Sequence, residues 1–426
     1  MLPARKWKRQ ALRQFCYDKR TQPDQWKCCG TLYDSKASLG RHIHQHHPQD
    51  LLQLEQQLAA QHDLHDTQSV PSNQNLYGRR VEKGSSDAID LTCACDPEQS
   101  RVILFYQYTK IDDPNRLAEQ HGKFCGPAGW DLTGKVRISH EGVNATLAGS
   151  SSNIESYMTW YECTQQLTWK TRSRDSFFKP SIGCRHVFDS LSIKWVDEIC
   201  PLGQPSITLA NVLQSSATGH STHKLSPQQF HTMITAGQDH DDLLLLDTRN
   251  YYESKIGRFK GAVTPAIRKF SVFPSFTDRH RADWNGKTIL TYCTGGIRCE
   301  KATAYLRSAL SEDTKVYMLE GGIHEYLNWI ETQPEIQDPL WQGKNYVFDA
   351  RQRLGPPSLG VISHCQACRQ PWDKYRKCDT PMCHLLVLVC DSCFQPGQCF
   401  CCHECQRSTS SPCQCERDRK AKELAM

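Results

Sequence analysis

The stretch TILTYCTGGIRCEKA, residues 288–302, decides both how the chain folds and where its chemistry lies. Its apolar and β-branched opening predicts a short buried strand that runs out at Cys293, and a helix is expected from about Cys299. Between them Thr294, Gly295, Gly296, Ile297 and Arg298 must turn within a tight loop. The carboxyl end of a parallel strand is where open α/β sheets place their ligands. A helix N-terminus and inward N–H groups there lower a thiol pKa and stabilise an anion. Cys293 is therefore expected to be the reactive thiol, with Gly295 and Gly296 freeing the backbone to fold inward. Arg298 is expected to close the loop and pair with an anionic group of the substrate. Cys299, six residues on, is expected to be a resolving thiol or simply the first residue of the helix.

Working outward, LLLLD at 243–247 and VYMLE at 316–320 read as further strands, alternating with helical segments near 299–310 and 323–331. Such alternation predicts a parallel sheet covered by helices, here over 225–350, opened by the N-cap and first-turn pair Ser226-Pro227. Asp247 and Arg249 are expected to be a supporting ion pair rather than catalysts. Arg258, Lys260, Arg268 and Lys269 lie in connections of the same domain, as a solvated face or as a guide for a phosphate backbone.

Residues 101–200 show a different order: strands at 102–108, 135–139, 145–149 and 190–196, with helices at 114–125 and 152–163. The sequence β-α-β-β-α-β predicts a ferredoxin-like, split-βαβ domain. HEGVNA at 140–145 is a hairpin turn or a functional loop, and its Asn144-Ala145-Thr146 sequon is discounted because no secretory route is expected. Residues 63–100 and 201–224 read as linkers.

Twelve of the 23 cysteines lie between Cys365 and Cys415. In a chain whose basic first 20 residues carry no apolar segment of a secretory signal, that points to metal rather than disulfides. Cytosol, or the nucleus, is the expected compartment. The spacing over 360–415 suggests two zinc tetrads, Cys365, Cys368, Cys390 and Cys393, and Cys378, Cys383, Cys402 and Cys405. Cys399, Cys401, Cys413, Cys415 and His403 are alternative ligands, and an iron–sulfur cluster would use similar donors. A smaller finger-like module with a following helix is expected over 26–62. Its ligands are Cys29, His42 and His46 (or His47), completed by Cys28 or Cys16, with Tyr33 and Leu39 as its core. Residues 1–25 read as a basic tail, with seven Lys/Arg against one Asp in the first 20 residues, and 416–426 as a second tail. No apolar run approaches the roughly 20 residues that span a bilayer, so a membrane protein is not expected.

CTGGIRC, the Asp247-Thr248-Arg249 after LLLLD, and ESKIGRFKGA at 253–262 resemble a rhodanese domain, whose active-loop cysteine carries a persulfide. From about 100 to 405, EGVNAT, NYYESKIGRFKGA, IRKF, CTGGIRCEKA, EGGIH and the cysteine-rich end are together similar to the tRNA uridine hydroxylase family. The resemblance implies a ferredoxin-like (split βαβ) domain followed by a rhodanese-like parallel α/β domain, here flanked by zinc-binding modules. It also implies oxygen-dependent 5-hydroxylation of the wobble uridine of tRNA through Cys293, with tRNA as partner and molecular oxygen as co-substrate. Two other readings stay open. One is a sulfurtransferase that takes sulfur from thiosulfate or a persulfide donor onto Cys293. The other is a non-catalytic, zinc-stabilised RNA-binding adaptor. The motifs do not encode an oligomeric state.

Overall fold

A computed structural model of the chain describes residues 11–12, 15–16, 18–22, 25–66, 93, 95–165, 167, 173–217, 223–237, 241–336, 338–380, 383, 385–407 and 413–425. Two compact units result, Met1–Gln74 with Gln204–Thr208, and Asn75–Gly203 with Leu209–Met426.

In the first unit, strands β1 (Arg20–Gln22), β2 (Gln25–Cys28) and β3 (Thr31–Tyr33) form an antiparallel sheet, followed by helices Lys36–His46 and Pro48–Asp66. Ser35 starts the first helix by accepting a hydrogen bond from the Ser38 N–H. Trp26, Leu39, Ile43 and Leu51 make the core, and Ala11 and Cys16 are buried with them, so part of the expected basic tail packs into this module. The start of the expected 63–100 linker is helix as far as Asp66, and 67–92 lie outside the described residues.

The second unit opens with a five-stranded sheet of order β7-β4-β6-β5-β8, comprising β4 (Ser100–Tyr108), β5 (Thr133–Ser139), β6 (Gly142–Ser150), β7 (Ser181–Ile182) and β8 (Leu191–Trp195). Helices Pro114–Cys125 and Ser151–Gln165 cover one face, where Ile103, Phe105, Val136, Ile138, Val143 and Leu147 alternate inward against Leu117, Ile154, Tyr157 and Tyr161. Phe105 alone meets Tyr161, Phe178 and Phe177 at ring distances of 4.7, 5.1 and 5.5 Å. Its loss to alanine should cost about 3–5 kcal/mol.

The strand at 190–196 is not the fourth strand of the split βαβ unit. Lys179, in the left-handed region at φ 46°, ends the short helix Arg174–Phe178 and turns the chain so that Ser181 and Ile182 pair antiparallel with Val102 and Arg101. That two-residue strand closes the split βαβ pattern beside β4. The chain then crosses over, and β8 is added parallel to β5 at the far edge.

The following sheet is parallel, in the order β10-β12-β13-β9: β9 (Lys224–Leu225), β10 (Leu243–Asp247), β12 (Thr288–Tyr292) and β13 (Lys315–Leu319). A short strand β11 (Gly257–Phe259) lies outside it and pairs with β14 (Trp341–Gly343). The helices are Pro227–Gly237, Tyr251–Ile256, Phe273–Arg279, Arg281–Trp284, Ile297–Ala309 and Gly322–Glu331. The expected 201–224 linker also contains a helix, Leu209–Ala217, packed against Ile297–Ala309.

Beyond the sheet come two antiparallel pairs, β15 (Asn345–Tyr346) with β16 (Arg353–Leu354) and β17 (Tyr375–Lys377) with β18 (Leu386–Leu388), then helices His403–Arg407 and Gln414–Ala425. The expected tail at 416–426 is thus largely helical, with Glu416 lying 3.5 Å from Arg268. Among the described residues no helix is long and apolar enough to cross a membrane.

Candidate active site and cysteine clusters

Strand β12 ends at Tyr292, which makes Cys293 the first residue of the loop. The turn after β13 supports this loop, with Ile323 N–H donating to the Cys293 carbonyl at 2.9 Å and His324 N–H to that of Thr294 at 3.1 Å. The approach demands glycine: Gly322 sits at φ +69°, and a Cβ there would lie 2.5 Å from the Cys293 oxygen and 2.7 Å from the Gly296 nitrogen. Gly296, at φ +103°, caps the helix and donates its N–H to Cys293 Sγ at 3.1 Å.

Burial opposes charge on Cys293. The Cys299 thiol, the Arg298 guanidinium and the N–H groups of Cys299 and Arg298 outweigh it and hold the Cys293 pKa at about 6. Burial and the adjacent Cys293 sulfur push Cys299 well above the ordinary thiol range. Cys293 is thus a thiolate near neutral pH, with Cys299 as its protonated neighbour. Both are fully buried, and of the loop residues between them all but Ile297 are buried. A reactant therefore reaches the sulfur only when the loop or what covers it moves.

Arg298 does not offer its fork to a substrate. Its two terminal nitrogens donate to Glu253 at 2.6 and 2.7 Å, and one also donates to Thr294 Oγ1 at 3.1 Å. The pairing is buried on both sides. A guanidinium fixed this way acts on Cys293 through its field, which corrects the expected contact with a substrate anion. Glu253 itself belongs to a capping box with Asn250 at the start of helix Tyr251–Ile256. Asp247 and Arg249 form a second buried pair, 2.7 Å apart, in which Asp247 also accepts from Ser254 Oγ at 2.9 Å. Arg249 lies against the rings of Trp341 and Tyr292 and donates to the Gly257 carbonyl at 2.6 Å, so this pair holds the loop after β10.

The ferredoxin-like sheet covers the active loop. Tyr106 OH donates to Glu300 Oε1 at 3.0 Å, and Tyr108 OH to the Ile297 carbonyl at 3.4 Å. A Cβ on Gly295 would lie 3.1 Å from Leu104, and one on Gly296 would lie 2.7 Å from Tyr106 OH. The turn at His140-Glu141 contributes as well: Lys301 Nζ sits 2.9 Å from Glu141 and 2.7 Å from Glu198. Cys200 is buried on this side. Burial pushes its thiol up to about 12, against the charges of Arg298 and Lys301. Sequence reading missed Glu253, Tyr106, Tyr108, Lys301 and Cys200. Glu253 and Lys301 lie in the motifs ESKIGRFKGA and CTGGIRCEKA without a role read for them, and the polar hairpin HEGVNA was a loop weighed for function.

Most of the other cysteines converge, some with histidine, in groups whose donor atoms all lie within 4.8 Å of one another. Cys365, Cys368, Cys390 and Cys393 form one group, with 3.6 Å between the Cys368 and Cys390 sulfurs. The second tetrad differs from the expected one. Cys401, rather than Cys402, joins Cys378, Cys383 and Cys405, while Cys402 and Cys413 share Cys401 and Cys405 in an adjoining group. Neighbouring residues in an irregular loop point in directions that spacing does not fix.

In the finger-like module the converging set is Cys28, Cys29, His42 and His47. His46 and Cys16 are not part of it. Helix Lys36–His46 stops at His46, and the cap residue His47 turns its ring toward Cys28 and Cys29, 3.3 and 3.1 Å away. Cys29 takes φ +49°, which lets two successive sulfurs face one point. A fifth set, Cys93, Cys95, Cys184 and His186, had no counterpart in the sequence reading.

A parallel α/β domain whose strand-end thiolate is caged by loop N–H groups defines a rhodanese-type thiol protein. The chain matches the rhodanese-like domain over residues 226–328, the UPF0176 acylphosphatase-like domain over 100–199 and the rhodanese C-terminal domain over 342–406. It is 36% identical to the tRNA uridine(34) hydroxylase of Onion yellows phytoplasma, covering 68% of this chain and 87% of that one. With the Bacillus velezensis protein of the same name it shares 33% identity, over 77% and 94% of the two chains. Rhodanese-like domain-containing protein 6 of Arabidopsis thaliana is 33% identical over 73% of this chain, which spans 54% of that longer protein. The chain belongs to the tRNA uridine(34) hydroxylase family.

Proposed function

We propose that this protein hydroxylates the wobble uridine of tRNA at C5, with Cys293 as the reacting thiol. Family membership supplies the reaction, and the caged Cys293 thiolate is the observation that carries it to this chain. The chain's own residues hold the sulfur deprotonated, keep a protonated Cys299 beside it and shield both from water. Molecular oxygen, implied by the family resemblance, would supply the hydroxyl oxygen, its second atom leaving as water with two electrons and two protons from a reductant such as a pair of thiols. Lys260 and Lys269 are exposed and suited to steering the tRNA backbone, whereas Arg258 is half-buried and donates to the Ser254 carbonyl at 3.4 Å, and Arg268 is engaged by Glu416. The cysteine usage, which favours metal over disulfides, supports a reducing compartment, the cytosol or the nucleus.

Zinc is the metal we assign to the converging cysteines. Tetrahedral thiolate coordination at about 2.3 Å requires sulfurs about 3.8 Å apart, and Cys383–Cys401 at 3.7 Å and Cys368–Cys390 at 3.6 Å fit. Bound zinc would be structural here, and the contacts favour bracing of the active loop over a separate RNA-binding role. Tyr375 OH, on the C-terminal hairpin, donates to the Tyr252 carbonyl at 3.0 Å, one residue before the Glu253 that holds Arg298.

Sulfur transfer is the second reading, because the same N–H cage would stabilise a Cys293 persulfide. The two separate on purified protein. Hydroxylation predicts 5-hydroxyuridine in tRNA by nucleoside mass spectrometry, binding that weakens steeply with salt, and weak transfer from thiosulfate to cyanide. Efficient transfer with no salt-sensitive tRNA binding would establish the sulfurtransferase instead. Neither activity, with tRNA still bound, would leave the adaptor.

A further inference from the structure

We infer that Cys93, Cys95, Cys184 and His186 form a zinc site that fastens the chain entering the ferredoxin-like domain to the strap that completes its sheet. Two pairs of like spacing, Cys93-Ala94-Cys95 and Cys184-Arg185-His186, meet although they are 91 residues apart. Cys93 Sγ lies 3.3 Å from Cys184 Sγ, and His186 Nδ1 lies 3.3 Å from Cys95 Sγ and 3.5 Å from Cys184 Sγ. All four donors fall within 4.8 Å of one another. A disulfide would draw two sulfurs to about 2.05 Å and leave the other thiol and the imidazole without a task. Four donors facing one point, three of them soft sulfurs, suit zinc.

The fold explains why the two pairs meet. Strands β4 and β7 run antiparallel with Arg101 opposite Ile182, so the chain before Arg101 and the chain after Ile182 leave the ladder side by side. Each segment also turns locally. Asp96 accepts from the Glu98 N–H at 2.9 Å to start the turn Pro97–Gln99, and Cys184 precedes the turn Arg185–Val187. The strap is only the two-residue β7, too short to hold itself by ladder bonds. A metal joining its continuation to the residues before β4 closes the domain where it is weakest.

The site is remote from Cys293. Strand β4 runs from this end to Tyr106 and Tyr108 over the active loop, and at about 3.3 Å per residue the two ends are roughly 20 Å apart. Its role is therefore to order the domain edge. The match to the acylphosphatase-like domain starts at residue 100, so Cys93 and Cys95 come from outside the shared domain.

The test is the zinc content of the full-length protein, purified without chelator, by elemental mass spectrometry. His186→Ala and Cys95→Ser alter side chains that are not buried, and each should lower the content by one zinc per chain. His186→Cys should restore it. In parallel, Cys93 and Cys95 should resist alkylation in the native protein and react readily in His186→Ala. Unchanged zinc in both variants would overturn the site, as would a Cys93–Cys184 disulfide in peptide maps, or a larger zinc loss that His186→Cys does not restore. None of these readouts depends on tRNA, so the inference stands or falls apart from the proposed reaction.

Discussion

At the Cys293 loop two buried sulfurs meet, while in the C-terminal module the Cys401 sulfur has four others around it, at 3.7 Å (Cys383), 3.8 Å (Cys402), 3.5 Å (Cys405) and 3.5 Å (Cys413). The loop settles one negative charge with the Gly296 N–H and a guanidinium anchored on Glu253, and it leaves the sulfur free to react. In the cluster, several thiolates at such distances repel one another unless a cation lies between them. A divalent metal then consumes their nucleophilicity. On the reading proposed above, the number of converging sulfurs, more than the burial of any one of them, separates the cysteine that does chemistry from those that hold structure.

The sharpest way to break this comparison is to remove metal. Strong chelation should unfold the region from about 365 to 405, since structural zinc contributes about 10–16 kcal/mol in small modules, while the ferredoxin-like sheet keeps its core. Hydrogen exchange would locate the loss. Exchange should also rise at 250–256, because Tyr375 no longer holds Tyr252. A module that stays protected after complete zinc removal contradicts the assignment.

Next in size is the Arg298–Glu253 pair. Arg298→Ala strands a buried carboxylate, a loss of about 3–5 kcal/mol, and returns the Cys293 pKa toward the ordinary thiol range. Thermal melts and alkylation rates would register the two effects separately. A variant that loses only tRNA affinity, with Cys293 unchanged, would reinstate Arg298 as a substrate contact.

The pH dependence follows from the same cage. With its pKa lowered to about 6, Cys293 is deprotonated above that value and protonated below it, so its reactivity should fall as pH drops through about 6. Cys299, shifted the opposite way, should not react in that range. The rate of modification at Cys293, mapped by peptide mass spectrometry, should show this single step. A midpoint near the ordinary thiol value would mean the cage does not act. The smallest effect belongs to Tyr106→Phe, which loses one hydrogen bond to Glu300, about 1 kcal/mol. It should loosen the cover over the loop and speed access to Cys293.

The loop could be read because its strand end, glycines and helix start lie within a dozen residues, although the turn at Gly322 and the Glu253 carboxylate that hold it lie elsewhere in the chain. The βαβ alternation around it and most strands before it carried clear periodicity. Ser181–Ile182 carries none, since two residues show no alternation, and periodicity alone points to 190–196 as the final strand of the split βαβ unit. Glu253 was invisible as the partner of Arg298 for another reason. The residues are 45 apart, and nothing local in either says they meet. A separation of 91 residues hid the Cys93 cluster, whose halves look incomplete singly. His47 in place of His46, and Cys401 in place of Cys402, turn on where a helix stops or how a loop points, which neighbour spacing cannot resolve.

The most direct measurement is the 5-hydroxyuridine content of wobble-position tRNA nucleosides in cells lacking the protein, complemented with either the native chain or Cys293→Ser. Restoration by the native chain and none by a folded Cys293→Ser protein of equal abundance is the result expected. Equal restoration by both would remove the caged thiolate from the reaction and contradict the account.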